Sequence, residues 1–217
     1  LKPLIEDLYR LQGLRVVLTG GEPFLYSELE PLLQFLKNVP LLKVMLSNGV
    51  LIRNNPHIVE IMRDNIHEVY VSLDGLENTH NEIRQAKVFQ KTIDGIKTLQ
   101  ENGIKVSVNT MIHKLNLTEL DELGEFIKDL GNIENWVLDI PTFDAGFDQW
   151  IIEKYSITPD EARGLYGHYG WGSGYEVDAE NFACGPGIMA IDVLGTVTKC
   201  GFFTDHSVGN IFELGLE

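Results

Sequence analysis

The chain has 217 residues, 44% of them hydrophobic and 23% charged, a composition that predicts a soluble globular protein with a sizeable core. No apolar run reaches the roughly 20 residues of a membrane span, and no signal-peptide core opens the chain, so the expected place is the cytoplasm, away from membranes. With 32 acidic against 17 basic residues and a net charge of −15, nucleic acid is not expected as a partner, whereas a basic peptide or a small molecule is not excluded.

In chain order, Leu4, Ile5, Leu8 and Leu11 predict a helix whose preceding strand lies outside the chain. An apolar strand over Arg15–Leu18 stops at Thr19-Gly20-Gly21-Glu22-Pro23. Ser27-Glu28-Leu29-Glu30 reads as a capping box opening a helix through Leu29, Leu32, Leu33 and Leu36. A second strand, Lys43–Leu46, ends at Ser47-Asn48-Gly49. Asn55-Pro56 places a cap and a first-turn proline before Ile58, Ile61 and Met62. The third strand, Glu68–Leu73, runs into Asp74-Gly75. Phe89, Ile93, Ile96 and Leu99 make the next helical stripe, closed by Asn102-Gly103. A strand over Lys105–Ile112 carries Asn109, a helix opens at Thr118-Glu119-Leu120-Asp121, and a fifth strand over Trp136–Ile140 carries Asp139 ahead of Pro141.

This βα alternation at roughly 30-residue spacing predicts parallel strands covered by helices. A closed eight-stranded barrel takes about 250 residues, so five strands fit an α/β partial barrel better. Beyond Phe143 the chain turns aromatic- and Gly-rich. Thr158-Pro159-Asp160-Glu161 starts a short helix there, and Ile188–Val193 with Thr196–Cys200 reads as a small β-hairpin. Two regions are expected, 1–145 as the barrel and 146–217 as the appendage.

In such a fold, ligands bind at the carboxyl ends of the strands. The polar interruptions all fall there. Each is ordinary turn chemistry taken singly, but five along one rim predict a site. Gly20 and Gly21 let a ligand approach the backbone, Pro23 stiffens the turn, and Glu22 adds a carboxylate. Carbonyls plus a carboxylate accept hydrogen bonds and suit an ammonium group. Ser72 and Arg84 could take a carboxylate, so together these residues would hold an amino acid moiety.

Gly20-Gly21-Glu22-Pro23 after a strand resembles the GGEP motif of the radical S-adenosylmethionine enzymes, over a match running from Leu14 to Thr142. The resemblance implies a partial (β/α)6 TIM-like barrel. It places the motif on the cofactor's methionyl ammonium, brings Ser72 and Arg84 to its carboxylate, and sets Ser47, Asn48 and Asn109 around the rest. Cys184, ten residues, Gly195, four residues, Cys200 fits the opening of the SPASM/twitch extension, implying that Cys184 and Cys200 help ligate an auxiliary iron–sulfur cluster.

The family's CxxxCxxC, which holds the [4Fe-4S] cluster that cleaves S-adenosylmethionine, is not in the sequence, nor are the later cysteines of the extension. As written the chain cannot bind that cluster, and the expectation is a longer protein with the trio shortly before Leu1. The segment Ile83–Phe89 is also shorter than the family's loop. The resemblance implies a 5′-deoxyadenosyl radical, an electron donor such as flavodoxin or ferredoxin, and a peptide or protein substrate, with small-molecule cofactor biosynthesis as the alternative. Two rivals are a diguanylate cyclase, whose GG(D/E)EF wants an acid where Pro23 stands, and a non-enzymatic binding module on the same barrel.

Overall fold

The structure is a computed structural model and describes residues 1–141, 148–166, 168–172, 188–201 and 203–215. Five strands, β1 (Arg15–Leu18), β2 (Leu42–Ser47), β3 (Glu68–Ser72), β4 (Lys105–Met111) and β5 (Ile133–Asp139), form one sheet in sequential order. Every neighbouring pair is parallel, with a register irregularity between Val106 and Val108. The helices are α1 (Lys2–Arg10), α2 (Leu29–Leu36), α3 (Pro56–Asn65), α4 (Glu77–Arg84), α5 (Phe89–Glu101) and α6 (Leu120–Asp129). This is the α/β architecture expected of the partial barrel.

Strand alternation sorts the sheet into two faces. Met45, Val69, Val71, Val106, Val108, Trp136 and Leu138 pack against Leu33, Met62, Ile96, Leu99, Leu123 and Ile127 of the helices, making the main core. A second cluster joins Ile5 of α1 to Leu32 and Leu36 of α2. The register puts Tyr70, Ser72, Asn109, Val137 and Asp139 on the opposite, inner face.

Several local expectations fail for physical reasons. Ser27 forms no capping box: the residue before α2 is Glu28, its side chain makes no cap bond, and Leu29 N–H instead donates to the carbonyl of Tyr26 at 3.0 Å. A short 3-10 turn over Pro23–Leu25 thus runs almost directly into the helix. Asn55 likewise leaves α3 uncapped and turns its amide back to the Leu51 carbonyl at 2.7 Å. The capping box forms at Thr158. There the Thr158 N–H and hydroxyl donate to Glu161 Oε2 while Glu161 N–H donates to Thr158 Oγ1. That exchange opens α8 (Pro159–Tyr166), which follows α7 (Gln149–Tyr155). Helix α4 has no apolar stripe to announce it: its buried residue is His80.

At the C-terminus the expected hairpin is an antiparallel three-stranded sheet, β6 (Ala190–Ile191), β7 (Thr196–Cys200) and β8 (Phe203–Asn210), followed by the one-turn helix α9 (Ile211–Leu214). Strand β6 stops early because Asp192 Oδ1 accepts from the N–H groups of Leu194 and Thr196, both at 2.8 Å. Gly195 completes the turn at φ +80°, where an added Cβ would lie 2.4 Å from the Phe212 ring.

Candidate functional site

The loop after β1 is held by its own acid. Glu22 is extended (φ −153°, ψ 117°) and leads the Pro23–Leu25 turn. Its Oε1 accepts from Ser47 Oγ at 2.9 Å and from Phe24 N–H at 3.2 Å, and its Oε2 accepts from Asn48 N–H at 2.8 Å. The carboxylate therefore staples the end of β1 to the end of β2. Two carboxylate oxygens offer about four acceptor positions, so after three internal bonds Glu22 has room for one further donor. Gly20 (φ +131°) and Gly21 stand exposed, and a Cβ on either would meet nothing within 4 Å. Pro23 is buried beneath the turn.

The loop after β2 is fixed from behind. Ser47 Oγ accepts from Gly49 N–H at 3.0 Å, Asn48 Oδ1 accepts from Val50 N–H at 2.9 Å, and Thr92 of α5 donates to the Asn48 carbonyl at 2.9 Å. Gly49, at φ +79°, lies so close to α5 that a Cβ on Gly95 would sit 2.2 Å from its carbonyl oxygen.

After β3 comes an ion pair with one buried end. Asp74, 2% exposed, places Oδ2 2.6 Å from Arg84 Nη2, while its Oδ1 accepts from Met111 N–H at 3.1 Å. Its carbonyl accepts from Asn116 Nδ2 at 2.7 Å, and its N–H donates to His80 Nδ1 at 3.2 Å. That last bond puts the His80 proton on Nε2, which is buried with no hydrogen-bond partner. Burial pushes the His80 pKa down to about 4, outweighing the pull of Asp74, so the ring is neutral near pH 7.

The loops after β1 and β2, with α4 and the start of α5, border a cleft of about 350 Å³ whose walls include Glu22, Asn48, His80, Arg84, Val88 and Thr92. An acceptor carboxylate and a donor guanidinium share one cavity. Arg84 uses one nitrogen on Asp74 and, with a side chain 33% exposed, has further N–H groups for a ligand. The arrangement fits a zwitterionic group such as the methionyl end of S-adenosylmethionine.

Of the expected residues, Glu22, Asn48 and Arg84 meet at the cleft. Ser47 stands behind Glu22, and Gly20, Gly21 and Pro23 shape the turn. Ser72 and Asn109 are register partners on the inner face and do not line the cleft. Asn109 Nδ2 donates to Asp139 Oδ2 at 2.8 Å, and Asn109 Oδ1 is buried without a partner. Burial raises the Asp139 pKa above the usual aspartate value, and the Asn109 bond offsets part of that. Deeper on the sheet, Glu68 accepts from Ser107 Oγ and, at 2.8 Å, from Asn135 Nδ2. Cys184 lies outside the described residues, and Cys200 ends β7 opposite Phe203. His80 was not anticipated. Its signal is its place one helical turn before Arg84, on the same side of a helix that periodicity did not reveal.

Among the described residues no group of three or more His, Cys, Asp or Glu could hold a metal, and no helix is long and apolar enough to cross a membrane.

Comparison with known proteins adds an independent line. The family model of the radical SAM superfamily matches residues 1–127. An AdoMet-dependent heme synthase of Methanosarcina barkeri (strain Fusaro) is 29% identical over 135 residues, covering 61% of this chain and 38% of its own. The antilisterial bacteriocin subtilosin biosynthesis protein AlbA of Bacillus subtilis (strain 168) is 28% identical over 212 residues, 90% of this chain and 46% of its own. Among solved structures, Streptococcus suis SuiB superposes with a TM-score of 0.73 at 17% identity, over 99% of this chain and 57% of that one. The chain thus spans less than half the length of these two curated relatives.

Proposed function

The chain belongs to the radical S-adenosylmethionine superfamily, and from that premise we propose that its cleft receives the methionyl end of S-adenosylmethionine and that a peptide is modified on the inner face of the sheet. Members of the superfamily use S-adenosylmethionine and a [4Fe-4S] cluster. When bound, cluster and cofactor would supply the radical chemistry that abstracts hydrogen from a substrate. Everything else falls to the protein's own groups. Glu22 accepts from the ammonium with its remaining lone pair, and Arg84 donates to the carboxylate. Gly20 and Gly21 leave the backbone open to the ligand. Ser72, Asn109 and Asp139 line the face where the reacting part of the substrate lies. Cys184 and Cys200 are proposed ligands of an auxiliary iron–sulfur cluster, and a flavodoxin or ferredoxin is the proposed electron donor.

The observation that carries this reading is the meeting of Glu22 and Arg84, brought from the ends of β1 and α4, on one cleft. For the substrate class, the support is coverage. The relative named for bacteriocin biosynthesis aligns with 90% of the chain, appendage included, whereas the heme synthase aligns with 61%. A small-molecule substrate is the second reading, favoured by that heme synthase and by a GTP 3′,8-cyclase of Petrotoga mobilis, 33% identical over 112 residues.

The test is anaerobic incubation of the protein, expressed from its complete gene and reconstituted with iron and sulfide, with reductant, S-adenosylmethionine and short peptides encoded beside that gene. Formation of 5′-deoxyadenosine with a changed peptide mass supports the proposal. 5′-Deoxyadenosine with turnover of a tetrapyrrole or nucleotide alone selects the second reading. Absence of 5′-deoxyadenosine with every substrate would leave a binding module on the same barrel.

A further inference from the structure

Arg84 is placed by a scaffold larger than its own helix. At the start of α4, Glu119 accepts from Leu76 N–H and from Thr79 Oγ1, both at 2.9 Å. At its end, Asn81 Oδ1 accepts from the N–H groups of Val88 at 2.8 Å and Phe89 at 2.9 Å, tying α4 to the first turn of α5. Gln85, at φ +51°, turns the chain out of the helix directly after Arg84. The backbone of Arg84 is therefore held from both sides. Its long side chain is not fixed by that backbone, and a free arginine pays substantial rotamer entropy to meet a ligand.

Asp74 removes that freedom. Its carboxylate is itself immobilised, because Oδ1 is taken by Met111 N–H of β4 and the residue's own N–H and carbonyl are engaged by His80 and Asn116. Only Oδ2 faces outward, and Arg84 Nη2 occupies it at 2.6 Å. The two ends of the pair are unlike: the Asp74 side chain is 3% exposed and that of Arg84 is 33%. A pair that served packing alone would have no need to leave the guanidinium open on a cavity wall opposite the acid of another loop.

We infer that Asp74 is a positioning residue that aims the Arg84 guanidinium into the cleft as a preformed receptor for a ligand carboxylate. The inference rests on the reading that the cleft takes a methionyl group, and goes beyond it by assigning to a buried acid the orientation of the anion-binding residue. The ligand carboxylate does not compete with Asp74. It takes the remaining N–H groups of a fork that Asp74 already holds, so binding costs less ordering of the arginine.

A pair of ligands isolates this role from folding. S-adenosylmethionine and its decarboxylated analogue share the ammonium and differ in the carboxylate, so the ratio of their affinities reads the carboxylate contact alone. Isothermal calorimetry on the reconstituted protein from the complete gene should show wild type preferring the carboxylated ligand by about tenfold or more. Asp74→Asn keeps the shape and can still accept from Met111 N–H, but turns an amide towards Arg84. That variant should collapse the preference to within about threefold, approaching Arg84→Gln, with affinity for the decarboxylated ligand unchanged. If Asp74→Asn does not fold, Asp74→Glu retains the charge, displaces the guanidinium by one methylene, and should show the same collapse. A wild-type preference kept in the Asp74 variant overturns the inference and spares the cleft assignment. No preference in wild type overturns the cleft assignment and the inference with it.

Discussion

Asn109 on β4 and Asp139 on β5 meet through one hydrogen bond, Nδ2 to Oδ2 at 2.8 Å, on the face of the sheet opposite the helices. The bond leaves the Asn109 carbonyl oxygen buried without a donor. Burial also raises the Asp139 pKa above its ordinary value of 3.8. A buried acceptor without a donor, beside a carboxylate that burial disfavours in its charged form, costs stability in an ordinary core.

That environment has a pH signature. The folded state holds the Asp139 proton more tightly than the unfolded chain does. Stability therefore falls as pH rises from about 3.8 through the raised folded value, because folding must then oppose ionisation. Asp139→Asn removes this loss. Relative to wild type, the variant should gain in Tm between pH 4 and pH 7, and differential scanning calorimetry across that range reads it. A difference that stays flat with pH would show that Asp139 titrates as an ordinary surface aspartate.

Glu22 has an observed duty as a staple and a proposed one as a ligand acceptor, which one substitution confounds and two separate. Glu22→Ala strands Ser47 Oγ, Phe24 N–H and Asn48 N–H and should cost about 1–3 kcal/mol in urea denaturation. Glu22→Gln keeps an acceptor oxygen for the staple and should cost less. Both lack the charge that the proposed reading sets against an ammonium, so on that reading both should weaken S-adenosylmethionine binding by roughly 10- to 150-fold. Full affinity in Glu22→Gln would reduce the acid to a loop staple.

The strands were legible because each is an apolar run with polar residues at its carboxyl end; β1 has the expected limits, and no limit of the others departs from expectation by more than three residues. Helices with an apolar stripe, such as α5 and α6, were legible for the same reason. Helix α4 was not, since Glu-Asn-Thr-His-Asn-Glu-Ile-Arg has no core face and is held by Glu119 and Asn81 from outside. The site divides along the same line. Glu22, Ser47 and Asn48 follow from the rule that ligands gather at strand ends. The pairing of Arg84 with Asp74 does not, because it depends on a helix that periodicity conceals. The failed cap at Ser27 has a similar origin: a preceding tight turn supplied the carbonyl that the motif assigns to a side chain.

The two cysteines give a compositional test. If Cys184 and Cys200 ligate an auxiliary cluster, as the resemblance of their spacing to the SPASM/twitch opening implies, they must do so as thiolates. Replacing both with alanine in the anaerobically reconstituted protein should lower its iron content by about one cluster's worth, with the barrel cluster spared. Equal iron in wild type and double variant would leave them as ordinary thiols. The barrel assignment does not depend on the result, since it rests on the sheet and the family match over residues 1–127.

The last prediction concerns a glycine where helix propensity and packing point in opposite directions. Gly95 lies inside α5, and on propensity alone alanine there would gain about 1 kcal/mol. Yet the added Cβ would stand 2.2 Å from the Gly49 carbonyl oxygen and 3.1 Å from its carbon, and backbone cannot rotate away as a side chain can. Either α5 retreats from the sheet or the loop after β2 shifts, and that loop carries the Asn48 N–H held by Glu22. Overpacking of this kind costs about 1–3 kcal/mol, so the clash should prevail. Gly95→Ala should lower the urea midpoint and weaken S-adenosylmethionine binding together. Gly164, also helical but with nothing within 4 Å of where a Cβ would stand, is the control. Gly164→Ala should be neutral or stabilise by up to about 1 kcal/mol. If Gly95→Ala were tolerated as well as Gly164→Ala, the close approach of α5 to the cleft loop would be refuted, and with it the argument that α5 sets the position of Asn48.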